Sequence, residues 1–295
     1  MILTIDRLGH LGDGIAQSDA GPVFVPLTLP QEVVEGEVVD GRLAAPRIIT
    51  PSSHRVLPGC RHYRACGGCS LMHAEDDFVA RWKQGVVQNA LAAQGLEAPF
   101  RPIVTSPPRS RRRALLSGRR TKKGALVGFH ARASETLVDL AMCDVLHPSL
   151  MAVLPVLRDI VTVGASRKGE VTLTATHTEG GVDLAVKGGK PLEQRLLSDL
   201  AVLAEQGDLA RLSWQDEVVV TRSPPTLRFG TAHVIPPPGA FLQATAEGEA
   251  ALLAAVREAV GDAGQIADLF AGCGTFALPL AQRAEVYAAE GIGAM

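Results

Sequence analysis

The chain has 295 residues, of which 46% are hydrophobic and 20% are charged, and its net charge is −2. This length and composition allow two or three globular domains with real cores, and the near-neutral charge argues against a general polyanion binder. No apolar run reaches the roughly 18–20 residues of a membrane-spanning helix and the N-terminus lacks a signal-peptide pattern, so we expect a cytoplasmic protein without membrane contact.

Residues 1–53 read as short strands separated by glycine-rich turns. MILTIDRL and PVFVPLTL favour strands, a turn-rich hairpin lies between them, and EVVEGEVVDGRLAAPRIIT adds two more strands. Five short strands in this space predict a small antiparallel β-barrel. Another kind of small β-subdomain is the alternative.

The cysteines are the most unusual feature of the next segment. Cys60, Cys66 and Cys69 follow the spacing C-x5-C-x2-C, and Cys143 lies far downstream. In a reducing compartment, clustered cysteines are metal ligands more often than disulfides. Four thiolates can close a zinc site or a [4Fe–4S] cluster, and the spacing does not decide between them. A chance set of buried thiols is the third alternative.

Residues 54–239 predict an α+β domain. Acidic residues in the first turn, apolar residues at helical spacing and a final Gly95 predict a helix over residues 74–95. The other expected elements are strands within 111–145, a helix over 148–164, a hairpin over 169–189, a helix over 192–207 and strands within 209–222. A proline-rich passage then marks a boundary near residue 240.

A basic run crosses this domain. Residues 98–134 contain ten Lys or Arg and no acidic residue. Arg111, Arg112 and Arg113 lie in its densest part. Such a run indicates either a surface that contacts RNA phosphates or a solvated face, and the pattern does not separate the two.

Residues 240–295 change to a βαβ pattern. A helix over 245–261 precedes a buried strand over 265–270, a glycine-rich turn that opens a helix, and a second strand over 285–291. The chain thus shows the start of a parallel α/β sheet.

The turn between these strands carries a cofactor motif. Gly272 and Gly274 allow close approach of the backbone to a ligand, and the following helix N-terminus offers free N–H groups. Ala277 completes a G-x-G-x-x-A pattern that fits a dinucleotide, and an acid at Glu290 can accept hydrogen bonds from ribose hydroxyls. Asp268, four residues before the first glycine, fits S-adenosylmethionine (SAM) better. A strand–turn–helix without a ligand is the third alternative.

Together these residues resemble the bacterial RNA uracil-5-methyltransferases, specifically the iron–sulfur type that acts on 23S rRNA. IDRLGHLGDGIAQ is similar to the family's TRAM domain, CRHYRACGGCSLMH to its cluster loop, and GAFLQATAEGEAAL to the F-x-Q-x-N segment of its methyltransferase domain. The resemblance implies an OB-like RNA-binding barrel over 1–53, an α+β iron–sulfur domain over 54–239 and the first part of a Rossmann-like SAM methyltransferase domain over 240–295.

The resemblance also implies ligands and partners. It places a [4Fe–4S] cluster on the four cysteines named above, with zinc as the alternative. It assigns SAM contacts to Gln243, Phe270, Thr275 and Glu290, in addition to the glycine motif. Thr245 replaces the family's usual Asn, and Thr275 stands where Asn is frequent. The nearest tRNA-directed relatives lack the cluster, which favours 23S rRNA as the partner of a monomeric enzyme.

The family's chemistry leads to a further expectation. A cysteine adds to C6 of uracil, C5 takes the methyl group from SAM, and a base removes the C5 proton. In the family these catalytic residues follow the segment that this sequence contains, and Cys273 sits in the cofactor loop. The sequence therefore predicts a truncated chain that is inactive by itself. An RNA-binding module without catalysis and a dinucleotide oxidoreductase are the competing function classes.

Overall fold

The computed structural model describes residues 1–293 and forms a mixed α/β fold. The chain divides into two compact units, residues 1–105 and the residues from 106 onward. Over the described residues, no helix is both long and apolar enough to cross a bilayer. The division into three domains stays a prediction.

The first unit begins with two small antiparallel sheets, which we number along the chain. Its strands are β1 (Ile2–Thr4), β2 (Arg7–Leu8), β3 (Gly14–Ser18), β4 (Gly21–Val25), β5 (Val33–Glu35) and β6 (Arg47–Thr50). They pair in the orders β1-β5-β6 and β2-β3-β4. MILTIDRL gives two strands because its backbone turns from one sheet to the other. The backbone N–H of Ile5 donates to the carbonyl oxygen of Glu32, and the N–H of Asp6 donates to the carbonyl oxygen of Ile15. The chain changes sheets there, and a closed OB-like barrel stays a prediction.

A buried carboxylate ties this unit together. Glu32 is fully buried, and its side chain accepts hydrogen bonds from the backbone N–H groups of Leu29, at 2.9 Å, and Ser52, at 3.1 Å. The guanidinium of Arg55 donates to both of its oxygens. Burial raises the pKa of Glu32, but the Arg55 and backbone hydrogen bonds outweigh it and leave the pKa below its ordinary value.

The predicted helix of this unit is confirmed as α1 (Asp76–Ala92). The helix ends at Ala92, and Gly95 in the turn that follows has a φ of +68°, a conformation that favours glycine. The apolar face of α1 packs on a small cluster that includes Leu8 and Leu29. None of its residues is fully buried, so the helix is a partly open wall of the unit.

The second unit is built on a seven-stranded sheet within residues 113–221. Its strands are β7 (Arg113–Arg120), β8 (Ala125–His130), β9 (Leu137–Asp139), β10 (Glu170–Thr178), β11 (Gly181–Lys187), β12 (Leu209–Trp214) and β13 (Glu217–Thr221). The order is β13-β12-β11-β10-β7-β8-β9, and β11–β12 is its parallel pair. The predicted hairpin, β10–β11, is confirmed.

Helices pack against this sheet and enclose the main core. They are α2 (Pro148–Ala152), α3 (Leu154–Gly164) and α4 (Gln194–Gln206). The single helix predicted over 148–164 is wrong, because the chain forms two helices that meet at Val153. Pro155 lies at the start of α3, where its missing N–H leaves no bond unmade.

A buried ion pair lies inside this sheet. Arg211 on β12 donates to both carboxylate oxygens of Asp183 on β11, at 2.9 and 2.7 Å. The two side chains are only 7% and 3% exposed. Arg211 also donates to the carbonyl oxygen of Pro236, at 2.8 Å. The pair therefore fixes the start of the segment that leads to the cofactor motif.

The remaining elements follow this anchor. They are β14 (Leu227–Phe229), β15 (Ala232–Val234), α5 (Ala246–Val260), β16 (Gln265–Leu269), α6 (Ala277–Leu280) and β17 (Glu285–Ala289). β16 and β17 are parallel, so the predicted βαβ unit is confirmed. The expectation that β16 is buried is wrong, and Leu269 is 64% exposed. Within residues 1–293, β17 is the only strand that pairs with β16.

Candidate cofactor and RNA site

The glycine loop lies between β16 and α6. Gly272 and Gly274 have φ angles of +56° and +84°, which favour glycine over residues that carry a Cβ. A Cβ on Gly274 would also lie 2.8 Å from the side chain of Leu278. The loop is therefore a close turn that only small residues can form, as a cradle for a cofactor head group requires.

Glu290 closes the other side of this loop. One carboxylate oxygen accepts a hydrogen bond from the N–H of Gly272 at 2.8 Å, and the other accepts one from Ile292 at 2.9 Å. These backbone hydrogen bonds hold the pKa of Glu290 below its ordinary value, and the bond from Ile292 has the largest effect. A carboxylate oxygen can accept more than one hydrogen bond, so Glu290 can brace the loop and still accept ribose hydroxyls.

The other predicted contacts of the motif surround the loop. The Oδ2 atom of Asp268 is buried and has no hydrogen-bond partner among residues 1–293. A buried acceptor without a donor is unfavourable, so this oxygen fits a donor on a ligand. Phe270 is 89% exposed and has a φ of +62°, an uncommon conformation for a bulky residue. Thr275 is half-buried.

Arg113 holds the beginning of the segment that precedes the motif. Its guanidinium donates to the carbonyl oxygens of Ala240, at 3.1 Å, and Gly239, at 3.3 Å. Burial first, and then the nearby charge of Arg111, lower the pKa of Arg113. This arginine is therefore committed to contacts within the protein.

Arg112 holds the next part of the same segment. Its Nε donates to the carbonyl oxygen of Gln243 at 3.2 Å, and its backbone N–H donates to that of Ala244 at 2.8 Å. The guanidinium also forms an ion pair with Glu249 on α5, and the two side chains are 11% and 13% exposed. We call residues 236–249, held by Arg211, Arg113 and Arg112, the anchored segment.

Thr245 starts α5 at the end of the anchored segment. Its hydroxyl oxygen accepts a hydrogen bond from the N–H of Gly248 at 3.0 Å, and it lies 2.6 Å from the hydroxyl of Ser106. Threonine and asparagine both cap helix N-termini in this way. The replacement of the usual Asn by Thr245 therefore preserves the start of the helix.

An apolar cluster joins the anchored segment to the glycine loop. It consists of Leu227, Phe229, Ala240, Leu242 and Cys273. Cys273 is 8% exposed, and burial, followed by the charge of Glu290, raises the pKa of its thiol. The environment therefore favours a neutral thiol that packs rather than a thiolate that reacts. The cluster also gives a role to β14–β15, which the sequence analysis missed because its strands are only three residues each.

The four predicted cluster ligands are divided between the two units. Cys60, Cys66 and Cys69 lie in a turn-rich loop of the first unit, where the N–H of Gly68 donates to the sulfur of Cys66 at 3.4 Å. Cys143 packs against the main core of the second unit. Across the described residues, no group of three or more His, Cys, Asp or Glu side chains is arranged to hold a metal ion. A metal site on the four cysteines therefore stays a prediction.

The three adjacent arginines predicted to bind RNA differ in their surroundings. Arg111 is exposed, whereas Arg112 and Arg113 contact the anchored segment. The structure thus gives Arg112 and Arg113 a positioning role that the sequence analysis missed. Their partners are more than a hundred positions away along the chain, so no local signal could reveal them. RNA binding by the three residues stays a prediction.

A stacked pair of histidines adjoins Arg112. The rings of His147 and His177 are 3.9 Å apart and nearly parallel. Burial is the main factor that lowers the pKa of His177 below 6.5, and the charges of His147 and Arg112 lower it further. The folded state therefore binds a proton at His177 less readily than the unfolded chain does.

This difference predicts a dependence of stability on pH. The contribution of His177 is fully present above pH 6.5 and decreases as the pH falls through and below that value. We expect the His177→Gln variant to lose less of its thermal stability than the wild type between pH 7.5 and pH 5, as measured by circular dichroism. Identical pH dependence in the two proteins would contradict this assignment.

Comparison with known proteins places the chain in a family. It is 40% identical over 288 residues to an RNA methyltransferase of Brucella suis, and the alignment covers 98% of this chain and 69% of the relative. The chain belongs to the RNA methyltransferase family. No protein-family model matches it.

One relative of this chain within the RNA methyltransferase family is named as a uracil-C5 enzyme. The 23S rRNA (uracil(1939)-C(5))-methyltransferase RlmD of Halomonas elongata is 34% identical over 319 residues, which cover 99% of this chain and 66% of that protein. The chain thus spans about two thirds of the length of these relatives, and the expectation that it is inactive by itself stays a prediction.

A solved structure supports the same fold. It is the tRNA (uracil-54, C5)-methyltransferase of Pyrococcus abyssi in complex with S-adenosyl-L-homocysteine, which matches with a TM-score of 0.70 over 99% of this chain and 74% of that one. The two sequences are 18% identical, so this likeness concerns the fold.

Proposed function

We propose that this RNA methyltransferase transfers the methyl group of SAM to C5 of a uracil in RNA, with 23S rRNA as its substrate. One observation carries the proposal: the anchored segment and the glycine loop share an apolar cluster and so form one site. The uracil-C5 specificity and the rRNA substrate are supported by the named activity of the Halomonas relative.

Several side chains of this site would bind SAM. The glycine loop would approach the methionine part of the cofactor, and the buried Oδ2 of Asp268 would accept a hydrogen bond from it. Glu290 would accept hydrogen bonds from the ribose hydroxyls of SAM. Gln243 on the anchored segment and the exposed ring of Phe270 would contact the remaining part of the cofactor. SAM supplies an activated methyl group, and the protein's task is to orient it.

The reacting thiol is a separate question. Uracil-C5 methylation by a cysteine requires a thiolate that can reach C6 of the base. Cys273 does not fit this role, because it is buried in the apolar cluster and its pKa is raised by burial. We therefore propose that Cys273 packs the cofactor loop and is not the nucleophile. Because the other four cysteines are the proposed metal ligands, none of the five cysteines of this sequence is left for that role.

Cofactor binding tests the proposed site. A Cβ on Gly274 would meet Leu278 and would have to adopt a φ of +84°, which costs about 1–2 kcal/mol. We expect Gly274→Ala to weaken binding of S-adenosyl-L-homocysteine roughly 5–30-fold in calorimetry. Gly264→Ala is the matched control, because a Cβ there meets no atom within 4 Å.

Methyl transfer tests the reaction. The chain by itself, incubated with methyl-labelled SAM and unmodified 23S rRNA, should give no 5-methyluridine, because none of its five cysteines is left as the nucleophile. Joined to the part of the Halomonas relative that the alignment does not cover, it should give 5-methyluridine, which mass spectrometry of the digested RNA detects. A product methylated at another atom would contradict the uracil-C5 assignment. Binding of S-adenosyl-L-homocysteine that is equally weak in the wild type and in Gly274→Ala would contradict the cofactor site. RNA binding without any cofactor binding would favour an RNA-binding module.

For the cysteines we propose a [4Fe–4S] cluster on Cys60, Cys66, Cys69 and Cys143, with zinc as the alternative. The support is their spacing and the turn-rich loop that carries three of them. Anaerobically purified protein should contain about four irons per chain, and Cys69→Ala should lose them. Cys273→Ala should retain the iron. Stoichiometric zinc in place of iron would contradict the proposal.

A further inference from the structure

The first unit contains a groove of about 910 Å³ between β2 and α1. Arg7 and Leu8 of β2 form part of one wall, together with Pro30 and His54, and the half-buried side of α1 that carries Phe78 and Trp82 forms the other. This volume lies within the range of about 300–1,000 Å³ that is usual for ligand sites. We call it the β2–α1 groove, and it is separate from the glycine loop and the anchored segment.

The walls of the β2–α1 groove include flat rings. The imidazole of His54 stacks on the ring of Phe78, with 4.9 Å between centroids and 27° between planes. Trp82 lies one turn further along α1 and also lines the groove. Its buried Nε1 donor has no acceptor among residues 1–293, although a buried indole N–H usually finds one. Flat rings of this kind bind unpaired nucleobases by stacking.

The charges of the β2–α1 groove favour an anionic ligand. Arg7 and Arg81 stand on opposite walls, and no ion pair joins either guanidinium to another described residue. Asp6 is the carboxylate in the lining, and His54 is paired with Glu75 at 3.2 Å. Two unpaired guanidinium groups beside stacked rings match the phosphates and bases of a nucleic acid strand.

We propose that the β2–α1 groove binds unpaired nucleotides of the RNA substrate. A base stacks on the wall formed by Phe78 and Trp82, and Arg7 and Arg81 contact the flanking phosphates. The inference rests on the proposed function, because it takes RNA as the substrate. A single strand is the expected ligand, since its bases are free to leave their own stack and lie on a protein ring.

Crosslinking tests this proposal directly on the whole chain. The probe is a 12-nucleotide single-stranded RNA that contains 4-thiouridine, and the crosslinked peptides are mapped by mass spectrometry. Crosslinks should fall within residues 6–10 and 78–90.

Affinity measurements supply a second readout. Arg7→Ala and Arg81→Ala should each weaken binding and reduce the slope of log K against log salt by about 0.7. Lys83→Ala is the matched control: it removes a cation from the same helix outside the groove, and it should leave the slope unchanged. Phe78→Leu, which keeps an apolar side chain but removes the ring, should weaken binding roughly 5–150-fold.

The possible results separate this inference from the proposed function. RNA binding with crosslinks only outside the β2–α1 groove, and with Arg7→Ala and Arg81→Ala equal to Lys83→Ala, overturns the groove proposal. A wild-type chain that binds S-adenosyl-L-homocysteine but no RNA at any salt concentration contradicts the RNA substrate itself.

Discussion

The Asp183→Asn variant should lower the free energy of unfolding by about 3–5 kcal/mol. Asp183 is 3% exposed at the side chain, and both of its oxygens accept from Arg211. The substitution leaves the guanidinium buried without a balancing charge, and that desolvated charge is the main source of the loss. Urea denaturation followed by circular dichroism measures the effect.

An exposed ion pair of the same unit provides the control. Asp208 pairs with Arg222 at 2.6 Å, but the Asp208 side chain is 91% exposed. The Asp208→Asn variant should therefore change the unfolding free energy by only about 0–1 kcal/mol. Equal losses in Asp183→Asn and Asp208→Asn would show that burial does not determine the energy of the Asp183–Arg211 pair.

The Arg112→Met variant should lose cofactor binding as well as stability. Methionine keeps much of the aliphatic length but cannot donate to Gln243 or pair with Glu249. Glu249 then stays largely buried but has lost its ion-pair partner. We therefore expect a loss of about 2–4 kcal/mol in the unfolding free energy. The loosened anchored segment should also weaken binding of S-adenosyl-L-homocysteine, which calorimetry measures at a temperature where the variant remains folded.

Arg111→Met is the matched control for this prediction. Arg111 is adjacent in sequence but exposed. Its replacement should leave both thermal stability and cofactor binding near the wild-type values, whereas binding to RNA should become less sensitive to salt. The positioning role of Arg112 would be refuted if Arg112→Met bound S-adenosyl-L-homocysteine as tightly as Arg111→Met does.

Elements with a strong local pattern could be predicted from the sequence. The helix α1, the hairpin β10–β11 and the parallel pair β16–β17 all follow from periodicity and turn residues. The glycine loop was found for the same reason, since a turn with positive φ at Gly272 and Gly274 needs glycine wherever it occurs. These features depend on residues that are neighbours in the chain.

Contacts between distant residues could not be predicted in this way. Arg113 bonds to a carbonyl 127 positions away, and Arg112 pairs with a carboxylate 137 positions away. In the sequence both belong to a basic run, which indicates a surface that faces solvent or phosphate. The run does not reveal that two of its arginines turn inward, because the groups that receive them lie beyond several intervening strands and helices.

The way in which the anchored segment is held has a consequence for how this site can change. Arg211, Arg113 and Arg112 donate to the carbonyl oxygens of Pro236, Gly239, Ala240 and Gln243. Every amino acid has a carbonyl, so these bonds are indifferent to the side chains that the segment displays. The side chain of Phe241, which is 68% exposed, can therefore be exchanged while the main chain keeps its course. The position of the main chain does not depend on the exposed side chains of the anchored segment. Substrate preference can therefore evolve there without a new fold.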